Sequence, residues 1–161
     1  MSTYVPIATY TLPSATSSYT FSSIPSTYTD LVLVINGQTS TTNDVGVQLN
    51  SDTGSNYSDT VMYGTGSSAL SARLTSTTMM YLDHNGWTTS QSIGIYNFMN
   101  YANTTTYKTM VGRTNNAANR GTEALVGLWR STSAINSIKV MTSAGNLDTG
   151  MTLTLYGIKA A

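Results

Sequence analysis

The sequence predicts an all-β protein: an antiparallel β-sandwich of jelly-roll type, with about ten strands in a single domain over residues 1–161. Three observations predict it. Apolar and hydroxyl-bearing residues alternate with a period of two, which puts every second side chain on one face of a strand. Short β-forming segments recur at near-regular spacing between clusters of Ser, Thr, Asn and Gly, as in sandwiches and barrels. No window sustains the apolar period of an amphipathic helix.

The first segment, "TYVPIATYTL" (3–12), is rich in β-formers, and Pro6 confines it to a sheet edge or a bulge. "SYTFSSI" (18–24) sets Tyr19 and Phe21 on one side. "YTDLVLVINGQ" (28–38) is continuously apolar in its middle, which fits a central strand covered on both faces. Asn36-Gly37 then signals a turn. Further strands are expected over 44–50, 57–64, 71–82, 92–101, 107–113, 123–130, 135–142 and 151–158. In the last, Met151, Leu153 and Leu155 share one face while Thr152 and Thr154 take the other. "GTEALVGLWRS" is the best helix candidate, but Gly127 in its middle favours a strand.

So many strands in one flat sheet would expose a wide apolar face, whereas two packed sheets bury both inner faces. The expected core comprises Leu31, Leu33, Ile35, Val47, Leu49, Met62, Leu74, Ile95, Phe98, Val111, Leu125, Leu128, Ile138, Val140, Leu153 and Leu155.

Charged residues make up 9% of the chain and sum to zero net charge, against about 25% charged residues in ordinary soluble domains. Seven scattered cations do not form the concentrated patch that nucleic-acid binding requires. Polarity comes instead from 21 Ser, 29 Thr and 13 Asn. Such a wet, nearly uncharged surface promotes association. The absence of cysteine excludes a disulfide framework, thiolate metal sites and a cysteine nucleophile. The start shows no signal-peptide pattern, and the apolar run "LVLVI" (31–35) is far too short for a membrane helix. Neither a nucleic-acid nor a membrane partner is expected.

Chemistry has few candidates. The stretch "LNSDTGSNYSD" (49–59) offers oxygen ligands in Asp52, Asn56 and Asp59. Calcium takes six to eight oxygens, usually several of them carboxylates. Two aspartates around a glycine read better as a tight turn, in which Asp and Asn bond their own backbone. His84, the only histidine, follows Asp83. Neighbours in a strand point to opposite faces, so Asp83 is badly placed to orient His84 for catalysis. No pair of dispersed carboxylates is singled out for hydrolysis, and no catalytic residue or cofactor is expected. Of the two tryptophans Trp87, in the loop "HNGWTTS", is the better placed for exposure; packing is the preferred reading of its ring, and the alternative is a contact for a partner or a glycan, formed with His84 and Tyr63.

Three stretches carry a family resemblance: "FSSIPSTYTDLVLVINGQ" (21–38), "LNSDTGSNYSDTVMYGTGSS" (49–68) and "LWRSTSAINSIKVMTSAGNLDTGMTLTLYGIKA" (128–160). In this order they resemble a group of tailed-bacteriophage virion proteins. The resemblance implies a β-sandwich located in the virion, at a tail appendage or on the capsid surface, with no enzymatic activity. It implies other capsid or tail proteins as partners and a homo-oligomer, by analogy a trimer. The sequence contains no shaft, coiled coil or collagen-like segment, so the expectation is a stand-alone module that decorates or cements the particle. The alternative expectation is a receptor-binding tail-fibre tip that recognises a host-surface glycan.

Overall fold

The structure is a computed structural model, which describes residues 3–116, 118 and 121–159. Among these residues twelve strands form and no helix does. They are β1 (Thr3–Thr11), β2 (Ser18–Phe21), β3 (Asp30–Gly37), β4 (Val45–Leu49), β5 (Tyr57–Gly64) and β6 (Ala69–Thr77). Then follow β7 (Met80–Tyr81), β8 (Ser92–Met99), β9 (Lys108–Asn116), β10 (Gly121–Trp129), β11 (Ile138–Thr142) and β12 (Thr152–Lys159). Eight of them pair in the order β1-β12-β3-β8-β9-β10-β5-β6, and four in the order β2-β11-β4-β7. The antiparallel sandwich expected from the alternating pattern is what forms.

Local chemistry accounts for the details. Pro6 lies on β1, an edge strand, and the register slips between Pro6 and Ala8, as a residue without an N–H requires. The stretch 71–82, expected as one strand, divides in two and raises the count to twelve. Ser76, with a left-handed backbone (φ 57°), is a bulge inside β6, which still pairs Thr77 with Tyr57 before it ends, and the Thr77 hydroxyl donates to Met79 O at 2.8 Å. After this break β6 stays beside β5, while β7 crosses to pair with β4. Gly121–Trp129 is a strand, despite its partly helical pattern.

The core lies between the sheets. Leu31, Leu33 and Ile35 of β3, Val45, Val47 and Leu49 of β4, Ile138 and Val140 of β11, and Leu153 and Leu155 of β12 are all fully buried. Each such side chain contributes roughly 1.5–3 kcal/mol. Tyr96 fills the space over two inward glycines: a Cβ at Gly112 would stand 2.4 Å from its ring, and one at Gly94 would strike its hydroxyl. That hydroxyl donates to Leu82 O at 2.9 Å, tying the large sheet to the chain leaving β7.

Five expected core residues require correction. Met62 and Val111 are 66% and 41% exposed, and Leu74, Ile95 and Leu128 are only half-buried. Strand parity is the reason for four of them; Leu74 shares the inward side with Asp59 and Gly127 but lies on the edge strand β6. Leu125 and Leu128 are three residues apart, so they stand on opposite faces of β10, and it is Leu125 that points inward. Register then carries the outward set from strand to strand: Val126 opposes Val111, and Ala124 opposes Met62.

Candidate functional site

The outer face of the eight-stranded sheet is built by this register. One row across its centre runs Val32, Asn97, Val111, Val126, Thr60 and Arg73. The next runs Val34, Ile95, Arg113, Ala124 and Met62. Tyr4, Ile158 and Asp30 extend the face across β1, β12 and β3. Among the described residues eight large hydrophobic side chains are exposed, and six of them, Tyr4, Met62, Ile93, Met99, Val111 and Val126, lie on this face. Its charges are Asp30, Arg73 and Arg113 among those residues. Shallow depressions mark it: one is lined by Met62, Gly64, Ser71, Thr122 and Ala124, another by Tyr4, Asp30, Asn97, Met99, Val111 and Ile158.

The 49–57 stretch is a side-chain-locked turn. Asp52 accepts the Gly54 N–H at 2.8 Å, the Asn56 amide at 3.0 Å and the Trp129 indole N–H at 2.7 Å. Burial pushes the Asp52 carboxyl up, but these three donors outweigh it and hold the group below its ordinary range. Asn50 and Ser51 supply left-handed backbone (φ 53° and 58°). The Asn50 side chain accepts the N–H groups of Asn136 and Ser137 and donates to Ala134 O. Arg130 donates to Ser55 O. Two of the stretches that carry the phage resemblance are thus fastened to each other.

The third metal candidate, Asp59, stands apart from this turn. It is buried on β5 opposite Gly127. Burial pushes its carboxyl up to about 6, against the opposing pull of the Tyr81 N–H and the His84 side chain. Among the described residues no three His, Cys, Asp or Glu side chains converge as metal ligands. Asp52 is taken up by the donors of its own turn and Trp129, while Asp59 faces the Tyr81 N–H and His84, so the two carboxylates serve different parts of the structure.

His84 and Tyr63 do come together, with ring centroids 5.0 Å apart. Behind them Glu123 on β10 accepts the main-chain N–H groups of His84 and Asn85 at 2.7 and 3.1 Å, which shapes the loop. Asp83 points the other way: it is buried, accepts the Val45 N–H at 3.1 Å, and burial holds its carboxyl well above the usual range. The two neighbours diverge, as their adjacency predicts.

Trp87 is the main correction. As a candidate contact it had to be exposed, yet only 1% of it is accessible. Its main chain exchanges two 2.8 Å hydrogen bonds with Asn43, so the loop folds inward and the indole joins the core. It offers no platform to a sugar or a protein. The residues that sequence reasoning missed are those of the outer face. Their available signal was "SIGIYNFM", where Ile93, Ile95 and Met99 alternate with Tyr96 and Phe98, giving a strand apolar on both sides.

Fold and face together define a β-sandwich whose larger sheet carries an exposed apolar outer face. No family model matches the chain, and no curated protein matches its sequence. Among solved structures it is similar to the galectin LEC-6 of Caenorhabditis elegans, at 11% identity over 94% of this chain and 96% of that one (TM-score 0.39). It is also similar to a tetrameric galectin from the ball sponge Cinachyrella, at 10% identity over 89% and 98% (TM-score 0.36). A third is congerin II with lactose and MES, at 12% identity over 88% and 99% (TM-score 0.34). Likeness this weak says nothing about a ligand.

Proposed function

We propose that this chain is a non-enzymatic structural component of a bacteriophage virion. It is a β-sandwich module that decorates or cements the particle surface or forms part of a head or tail appendage. The observation that carries the reading is the outer sheet face, where six of the eight exposed large hydrophobics gather. Apolar patches of this extent on a soluble domain mark protein contact. The low charge of the chain removes the repulsion that keeps molecules apart, and many copies on one particle multiply a modest affinity. The phage-like stretches at 49–57 and 128–137 support the reading in a second way. Their polar side chains hold the loops in place. The glycan-binding alternative relied on an exposed Trp87 and has lost it.

The test is quantitative mass spectrometry of density-banded particles produced from the genome that encodes the chain. The expected result is a fixed copy number per particle. Its absence from purified particles refutes the proposal.

A further inference from the structure

We propose that the outer face of the eight-stranded sheet binds a second copy of this chain, sheet against sheet about a two-fold axis. The inference rests on the reading of that face as an association surface and names its occupant.

Charge placement comes first. The face carries one acid, Asp30 on β3, and its cations include Arg73 on β6. In the order β1-β12-β3-β8-β9-β10-β5-β6 these strands are third and eighth, so the midpoint falls between β9 and β10. A two-fold axis along the strands at that midpoint lays β3 of one copy over β6 of the other. Asp30 then lies within one row of Arg73 of the second copy, and symmetry makes the pair twice. Aligned sheets are a preferred packing.

Shape follows from the same axis. Val111 and Val126 flank it and meet their counterparts in reverse, Val111 over Val126. Met62 falls over Ile95 in the third row, and Arg113 falls over Ala124, whose small side chain leaves it room. Because Ala124 is the cross-strand neighbour of Arg113, the two Arg113 side chains come to adjacent strands on either side of the axis, the one place where like charges meet among the described residues.

Area is the third argument. Six strands overlap, from β3 to β6. At ~4.8 Å per strand and about seven residues of ~3.3 Å each, the covered face spans roughly 650 Å². Specific interfaces bury about 600–1,000 Å² per partner, so the overlap suffices for a stable dimer. β1 and β12 lie outside it, which leaves Tyr4 uncovered for a different neighbour.

Sedimentation equilibrium of the purified chain tests this. The expected species is a dimer, twice the 17.2 kDa chain mass. Val126→Lys and Met62→Lys each add a positive charge beside Arg113 of the second copy and are expected to weaken the dimer about 10-fold or more. Both sites are already exposed in one copy, so circular dichroism should stay unchanged. Arg73→Asp weakens the dimer more at low salt than at high salt, and Tyr4→Glu leaves it intact. A monomer at about 100 µM overturns the proposal, as does a trimer, or a dimer indifferent to Val126→Lys and Met62→Lys. A chain found in virions but monomeric when pure defeats this inference alone; a dimer absent from virions defeats the functional reading alone.

Discussion

The indole N–H of Trp129 donates to Asp52 Oδ2 at 2.7 Å, joining the end of β10 to a turn 77 residues earlier in the chain. Tyr57 stacks near the same indole, with centroids 6.3 Å apart, and its hydroxyl accepts the Leu49 N–H at 3.0 Å. One carboxylate, one indole and one phenol thus close the corner where β4, β5 and β10 meet.

Trp129→Phe removes that donor and is expected to destabilise the fold by about 1.5–3 kcal/mol, the range for a hydrogen bond to a charged group. The Asp52 carboxyl is held below its ordinary value of 3.8. Its stabilisation is therefore present above that value and lost as pH falls through the folded one. In Trp129→Phe the acid-unfolding midpoint should move to higher pH, which circular dichroism across a pH series will read.

Asp59 has the opposite sign. Its folded pKa is about 6 against an ordinary 3.8, so between these values the native state holds a proton that the unfolded chain has released. Stability from this group falls as pH rises through that window and stays low above it. Asp59→Asn should flatten this slope and raise stability at pH 7 by about 1–3 kcal/mol, less whatever its new amide N–H loses by burial. Urea unfolding at pH 4 to 8 measures it; a variant less stable than the wild type at pH 7 contradicts the assignment.

Gly112→Ala brings a methyl group to 2.4 Å from the Tyr96 ring. Overpacking of this kind costs about 1–3 kcal/mol. Thermal melts should show the loss, and Tyr96→Phe in the same chain should not restore it, because the clash is with the ring and not the hydroxyl.

Trp87→Ala is expected to destabilise the whole fold by about 3–5 kcal/mol, as removing a buried aromatic does. The measurement is a denaturant melt. A variant with unchanged stability would mean that the indole does not belong to the core.

The strands, their approximate limits and the sandwich were legible in the sequence because a period of two is a local property. The Asp52 turn was legible for a similar reason: the Asp, Gly and Asn that build it lie within five residues. Its fastening to Trp129 and to the 130–137 segment was not, since the partners are separated by 75 residues or more. The break after Thr77 was hidden in an unbroken run of β-formers, because it serves a crossover from the large sheet to the small one.

By itself, the sequence determined that this chain forms β-strands, that they must stack in two layers to bury their aliphatic sides, and that its surface would be hydroxyl-rich and nearly neutral. Only the tertiary structure decided which side of each strand faces in. In β8 both sides are apolar, and the choice of Tyr96 and Phe98 over Ile93 and Met99 came from the glycines and the second sheet on one side. Alternation specifies two faces without ranking them. Pairing register with distant strands ranks them, so Met62 and Val111 turned outward, Trp87 was drawn inward, and the surface available to a neighbour emerged only once the chain had folded.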